Sequence, residues 1–143
     1  MRISARNQLK GTITSVKKGA VNGVVAVSLG EGDATVKADI TNEAIDALGL
    51  SEGRTAYAIV KATNVMFAAG DVRLSNLSAR NQLAGTVAKV REGAVNGHVT
   101  LELADGNRIM GSITNEAIEQ LGLHEGERAL AIVKATDVII GVE

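Results

Sequence analysis

The sequence writes one small module twice. Ser4-Ala5-Arg6-Asn7-Gln8-Leu9 returns as Ser78-Ala79-Arg80-Asn81-Gln82-Leu83, and Gly19-Ala20-Val21-Asn22-Gly23 returns as Gly93-Ala94-Val95-Asn96-Gly97, both 74 positions later. One residue drops out near Asp33–Thr35, and the offset becomes 73. Thr41-Asn42-Glu43-Ala44-Ile45 then matches Thr114-Asn115-Glu116-Ala117-Ile118, and Ala58-Ile59-Val60-Lys61-Ala62-Thr63 matches Ala131-Ile132-Val133-Lys134-Ala135-Thr136. Roughly half of about 65 aligned positions are identical, and self-similarity at such a period constrains the fold more tightly than any composition does. The repeat predicts one domain over residues 1–69, a small and polar linker over 70–76, and a second domain over 77–143.

Within a copy the hydrophobic period is mostly two. Leu9 to Val16 and Val21 to Leu29 read as half-buried strands, and Arg54 to Ala62 as another, with Val65-Met66-Phe67 as a short last one. Gly30-Glu31-Gly32-Asp33, and Ala104-Asp105-Gly106-Asn107 in the second copy, read as turns leading into a third strand. A phosphate cradle is a poor alternative for these loops, because their carboxylates repel an anion. Thr41 to Gly49 supplies an N-cap hydroxyl, an acid in the first turn and a glycine stop, which predicts a short helix with Ile45 and Leu48 on one face. The expected fold is mainly all-β: two tandem OB-like Greek-key β-barrels, each with one short helix.

Composition narrows the function classes. Of 143 residues 45% are hydrophobic, yet there is one Phe, one Tyr and no Trp, so the core must be aliphatic. The absence of Cys removes disulfides, thiolate metal sites and a Cys nucleophile. A net charge of −1 argues against a generic polyanion binder. A stacking single-stranded nucleic-acid binder needs aromatics and a basic groove, and Tyr57 and Phe67 become Leu130 and Ile140 in the second copy. No apolar run nears the roughly 18 residues of a membrane span and no apolar signal core opens the chain, so a cytoplasmic location without membrane partners is expected. His98 and His124 replace Val24 and Ser51 and occur in one copy only, so no direct cation ligand is expected. No Ser–His–Asp set, Walker loop or paired-acid arrangement appears, and neither enzyme activity nor a catalytic cofactor is expected.

Two polar stretches repeat too faithfully for a surface free to drift. Alternation puts Ser4 and Arg6 on one side of an extended segment, with Ala5 facing away. A hydroxyl beside a guanidinium suits a tetrahedral oxyanion; a surface arginine paired with a carboxylate is the plainer alternative. Lys61-Ala62-Thr63 closes an apolar strand, where Lys and Thr either bind something or mark the strand's emergence into water. Duplicated barrels need matching cores, but not matching exposed Ser, Arg, Lys and Thr unless these side chains share a task. The Gly19–Gly23 block either shapes a turn or exposes backbone N–H groups to an anion.

At S-A-R-N-Q-L, G-A-V-N and K-A-T the chain resembles the molybdate-binding Mop domains over nearly its whole length, and two copies with little added resemble a two-domain molbindin. The resemblance implies an OB-like barrel, assembly into a homo-oligomer, a trimer, and binding of molybdate or tungstate as cargo at interfaces between Mop domains, for intracellular storage or homeostasis. It implies one site type built from Ser4 and Arg6 with Lys61, Ala62 and Thr63 of another domain. The second-copy equivalents are Ser78, Arg80, Lys134, Ala135 and Thr136. Thr41 and Thr114 match a position where the family places a hydroxyl near the anion. Val21-Asn22 and Val95-Asn96 resemble the lining of a second, more symmetric site. Asp39 aligns with Ser112, a difference that implies unequal affinities at equivalent sites. An OB-type structural or interaction module without cargo is the alternative.

Overall fold

A computed structural model describes residues 1–30 and 34–143. The turn expected at Gly30-Glu31-Gly32-Asp33 therefore lies largely outside the described residues. The first copy forms β1 (Asn7–Lys18), β2 (Asn22–Ser28), β3 (Thr35–Thr41), helix α1 (Asn42–Leu48), β4 (Thr55–Val60) and β5 (Met66–Ala69). The second forms β6 (Asn81–Glu92), β7 (Asn96–Leu103), β8 (Arg108–Thr114), α2 (Asn115–Leu121), β9 (Arg128–Val133) and β10 (Ile139–Gly141). Single 3-10 turns, Ala62–Asn64 and Ala135–Asp137, precede β5 and β10. All strand pairings are antiparallel and build two curled five-stranded sheets of the OB-like type.

Alternation explains the strands. In β7 Gly97, Val99, Leu101 and Leu103 point inward, while Asn96, His98 and Glu102 are exposed. A register shift between Ile13 and Ser15, matched between Val87 and Lys89, bends each long first strand so that one strand serves both ends of its barrel. Each helix is held as the sequence predicts. Thr41 Oγ1 accepts from Ala44 N at 3.1 Å, Gly49 closes the helix at φ 62°, and Thr114 with Gly122 repeats the arrangement. Ile45 and Ile118 are the buried residues of the two helices. Each packs over a glycine: a Cβ on Gly23 would stand 2.6 Å from Ile45 Cδ1, and one on Gly97 equally close to Ile118 Cδ1. That contact is why the G-A-V-N-G block ends in glycine.

The two modules do not close on themselves. The sheets run β10-β4-β1-β2-β3 and β5-β9-β6-β7-β8, so each copy gives its last strand to the other. Ile139 pairs with Ile59, and Met66 with Ile132. The exchanged strands carry matched side chains. Phe67 lies against Gly111, where an added Cβ would meet the ring at 2.3 Å. The corresponding residues of the other barrel are Ile140 and Ala38, a smaller side chain on the strand and a larger one on the floor, where β10 packs against β3. One continuous apolar cluster accordingly runs from Leu9 in the first copy to Ile140 in the second.

Two buried asparagines lock the junction. Asn7 Nδ2 donates to Met110 O and Met110 N donates to Asn7 Oδ1, both at 2.8 Å; Asn81 makes the same pair with the backbone of Lys37 at 2.8 and 2.7 Å. They are the buried polar residues among those described, and both carboxamides are satisfied, as burial requires. The segment between the copies is also tied down: Leu74 exchanges two hydrogen bonds with the Gln82 carboxamide, and Arg128 pairs with Asp71.

Candidate oxyanion site

Each repeated polar motif sits at the mouth of a strand ladder. Asn7 and Val60 form the last rung between β1 and β4, so Arg6 and Lys61 are the first residues beyond it and flank the opening. Gln8 Nε2 reaches back to Ala5 O at 3.2 Å and fixes the turn carrying Ser4 and Arg6; Gln82 does the same to Ala79 O. On the facing side Lys61 caps the 3-10 turn, with its carbonyl accepting from Asn64 N, which sets Ala62 and Thr63 along the wall.

The result is a cleft of about 330 Å³ lined by Ser4, Ala5, Arg6, Lys61, Ala62 and Thr63, with Ile3, Ile59 and Ile139 as its apolar edge. A second cleft of about 330 Å³ repeats the arrangement with Ser78, Arg80, Lys134, Ala135 and Thr136, edged by Leu77, Ala79 and Met66. Among the described residues no carboxylate lies within 4.0 Å of the Arg6, Lys61, Arg80 or Lys134 charges. The plainer reading of these arginines, a surface ion pair, thus finds no partner among those residues. Two cations and two hydroxyls line each cleft, the donor set that a tetrahedral anion needs, and the second cleft is lined by Asp39 as well.

The two halves of each cleft were expected from different domains. Within this chain Ser4 and Arg6 already meet Lys61, Ala62 and Thr63 of their own copy, because β1 and β4 are neighbours. What crosses between copies is the edge: Ile139 of β10 at the first cleft, Met66 of β5 and Asp39 of β3 at the second. Thr41 and Thr114 join neither cleft. Thr41 pairs with Asn22 across β2 and β3, and Thr114 with Asn96 across β7 and β8. The structure therefore groups both threonines with the Val-Asn segments. There Asn42 Nδ2 and Asn115 Nδ2 hold the carbonyls of Gly19 and Gly93, and a depression lined by Arg91, Asn96 and His98 opens beside the second copy's segment.

Exposed apolar side chains recur at equivalent positions of the repeat. Ile3 and Leu77 are 47% and 42% exposed, Val21 and Val95 72% and 71%, and Met66 and Ile139 46% and 55%. Four of these six rim the clefts. Sequence reasoning missed this rim, together with Asn7, Gln8 and their second-copy partners; the paired identity of N-Q was the available signal. Phe67 is buried and offers no stacking face. Among the described residues no three His, Asp or Glu side chains gather as a cation site, and no helix is long and apolar enough to cross a membrane.

A tandem pair of exchanged OB-like barrels, each with a cleft lined by Arg, Lys, Ser and Thr at its mouth, defines the class of molecule. The TOBE domain model matches residues 3–67 and 77–140, and the chain belongs to that family. Over its full length it is 38% identical to a molybdenum transport protein, ModE, of Herbaspirillum seropedicae, and over 99% of it 39% identical to the molybdenum-pterin-binding protein MopA of Rhodobacter capsulatus. It spans about half the length of these curated relatives, 52% and 53%. The crystal structure of the cytoplasmic molybdate-binding protein ModG with molybdate bound matches throughout, with a TM-score of 0.92, 44% identity and complete coverage of both chains.

Proposed function

We propose that this chain binds molybdate, and tungstate as its near-isostere, for intracellular storage or homeostasis, without catalysing a reaction. The observation that carries this reading is the convergence of Arg6, Lys61, Ser4 and Thr63 on one cleft, repeated at Arg80, Lys134, Ser78 and Thr136, with no carboxylate within 4.0 Å of the charges among the described residues. A dianion leaves water only for several charge-assisted donors at once. The molybdate-bound relative of the same fold supports the choice of anion.

The second part of the proposal is assembly, as a trimer with Mop domains packed against one another. Apolar side chains exposed in repeat-related pairs beside the clefts suit burial against further copies, which also closes the open mouths. In such an assembly Thr41, Thr114 and the Val21-Asn22 and Val95-Asn96 segments line the second type of site. Calorimetric titration with molybdate against equimolar sulfate, beside the particle mass in solution, tests both parts. Molybdate-specific heat and a mass above the monomer are expected. Equal or absent heats for the two anions overturn the molybdate reading, and a monomeric mass overturns the assembly.

A further inference from the structure

The two clefts are not equivalent. The first is lined by Arg6 and Lys61 with no acidic residue; the second is lined by Arg80 and Lys134 together with Asp39. Asp39 arrives from the other copy. It stands opposite Val24 in the β2–β3 ladder, and β3 packs against the 3-10 turn Ala135–Asp137 that follows Lys134. Its Oδ1 is enclosed and, among the described residues, has no hydrogen-bond partner. No cation lies within 4.0 Å of it among those residues either. Lys37, two residues back on the same strand, is exposed and does not line the cleft. The repeat-equivalent position, on β8 beside the first cleft's 3-10 turn, is Ser112, which carries no charge.

Resting on the oxyanion reading, we infer that Asp39 sets the order of filling: the first cleft is the tight site and the second the weak one. The lining of the first carries two formal positive charges, that of the second a net one. A bound dianion in the second cleft has a carboxylate in its lining, half-buried and with one oxygen enclosed, so their repulsion is only partly screened by solvent. A chain built this way takes up oxyanion in two ranges of concentration, the second cleft filling only when the anion is abundant. Asp39 is thus a specificity residue donated by one barrel to the other's cleft, a consequence of the packing of β3 across the junction.

The test is calorimetric titration of the full chain with sodium molybdate, comparing wild type with Asp39→Asn, Asp39→Ser and Ser112→Asp. Asn keeps the shape and removes the charge; Ser is the residue the other copy already carries. The cleft sites of wild type are expected to fall into two affinity classes separated by about tenfold or more, the scale of one unit charge acting through a water-like dielectric. Both Asp39 variants should raise the weak class toward the tight one, and Ser112→Asp should lower the tight class. Molybdate binding that is unchanged in Asp39→Asn and Asp39→Ser overturns this inference and leaves the oxyanion reading standing. Tightening in Asp39→Ser without tightening in Asp39→Asn overturns it too, since room rather than charge is then at issue. Wild type that takes up no molybdate removes both.

Discussion

Asn7 holds the amide and the carbonyl of Met110, 103 residues further along the chain, with one carboxamide and two hydrogen bonds of 2.8 Å. The same relationship joins Asn81 to Lys37, so each barrel's first strand grips the other barrel's third. A carboxamide suits the task because it sets an N–H and a C=O side by side, the complement of the C=O and N–H that one residue presents at the edge of a strand. The polar junction and the exchanged strands together make one folding unit of two copies.

Replacing Asn7 by Ala should therefore cost about 2 kcal/mol, because it strands the part-buried N–H and C=O of Met110. Asn81→Ala should cost a similar amount. Urea unfolding followed by circular dichroism checks this; a midpoint unchanged in both variants would show that these hydrogen bonds contribute nothing.

The strand exchange makes a coupling prediction. Gly111→Ala drives a methyl group into the Phe67 ring and should destabilise by about 1–3 kcal/mol, the usual cost of overpacking. Phe67→Ile restores space by adopting the pair found in the other barrel, Ile140 over Ala38. The double variant should then be more stable than the sum of the single changes by about 1 kcal/mol, measured as a double-mutant cycle. Additive losses would mean that the two residues do not touch.

The clefts should be dispensable for folding and necessary for cargo. Arg6→Ala and Lys61→Ala are each expected to weaken a subset of molybdate sites by more than about 1 kcal/mol, the scale of one charge-assisted hydrogen bond. Their unfolding midpoints should stay near wild type, because both side chains are exposed. Unchanged stoichiometry and affinity in both variants would remove these residues from the site.

The single tyrosine gives a clean optical titration, since the chain holds no tryptophan. Tyr57 has its pKa raised above the ordinary 10.0, chiefly because its hydroxyl can donate to the nearby Glu143 carboxylate, with desolvation and the carboxylate's charge adding to it. A group whose folded pKa lies above its unfolded value contributes stability that is complete below the unfolded pKa and fades as pH rises through the folded one. The phenolate absorbance should thus appear above pH 10, and Glu143→Gln should bring the midpoint back toward 10.0. A wild-type midpoint at or below the ordinary value would show that the contact is not made.

Much of the candidate site was legible in one dimension. Ser4, Arg6, Lys61 and Thr63 announced themselves by being polar, exposed and identical in both copies, and they do share a cleft. Asp39 was visible as a mismatch with Ser112, but its place in the opposite barrel's cleft was not. Asn7 and Gln8 lay inside the same repeated motif without declaring their tasks, because the partner of Asn7 is 103 residues away and that of Gln8 is a backbone carbonyl. Thr41 and Thr114 read equally well as helix caps and as anion donors; the hydroxyl oxygens cap their helices, and the side chains sit apart from both clefts.

The module was already written in the chain: its alternating strands, its capped helix, its aliphatic core and its duplication. These follow from local periodicity and side-chain chemistry, which act over a few residues. Tertiary structure alone decided which barrel receives each last strand. Met66–Ala69 has the same alternation whichever sheet it joins, and the choice rests on the turn at Ala62–Asn64 and on the fit of Phe67 against Gly111 across the junction. That fit is a contact between residues remote in sequence, so no local pattern contains it. It makes two written copies into one molecule and brings Asp39 to a cleft that its own copy does not build.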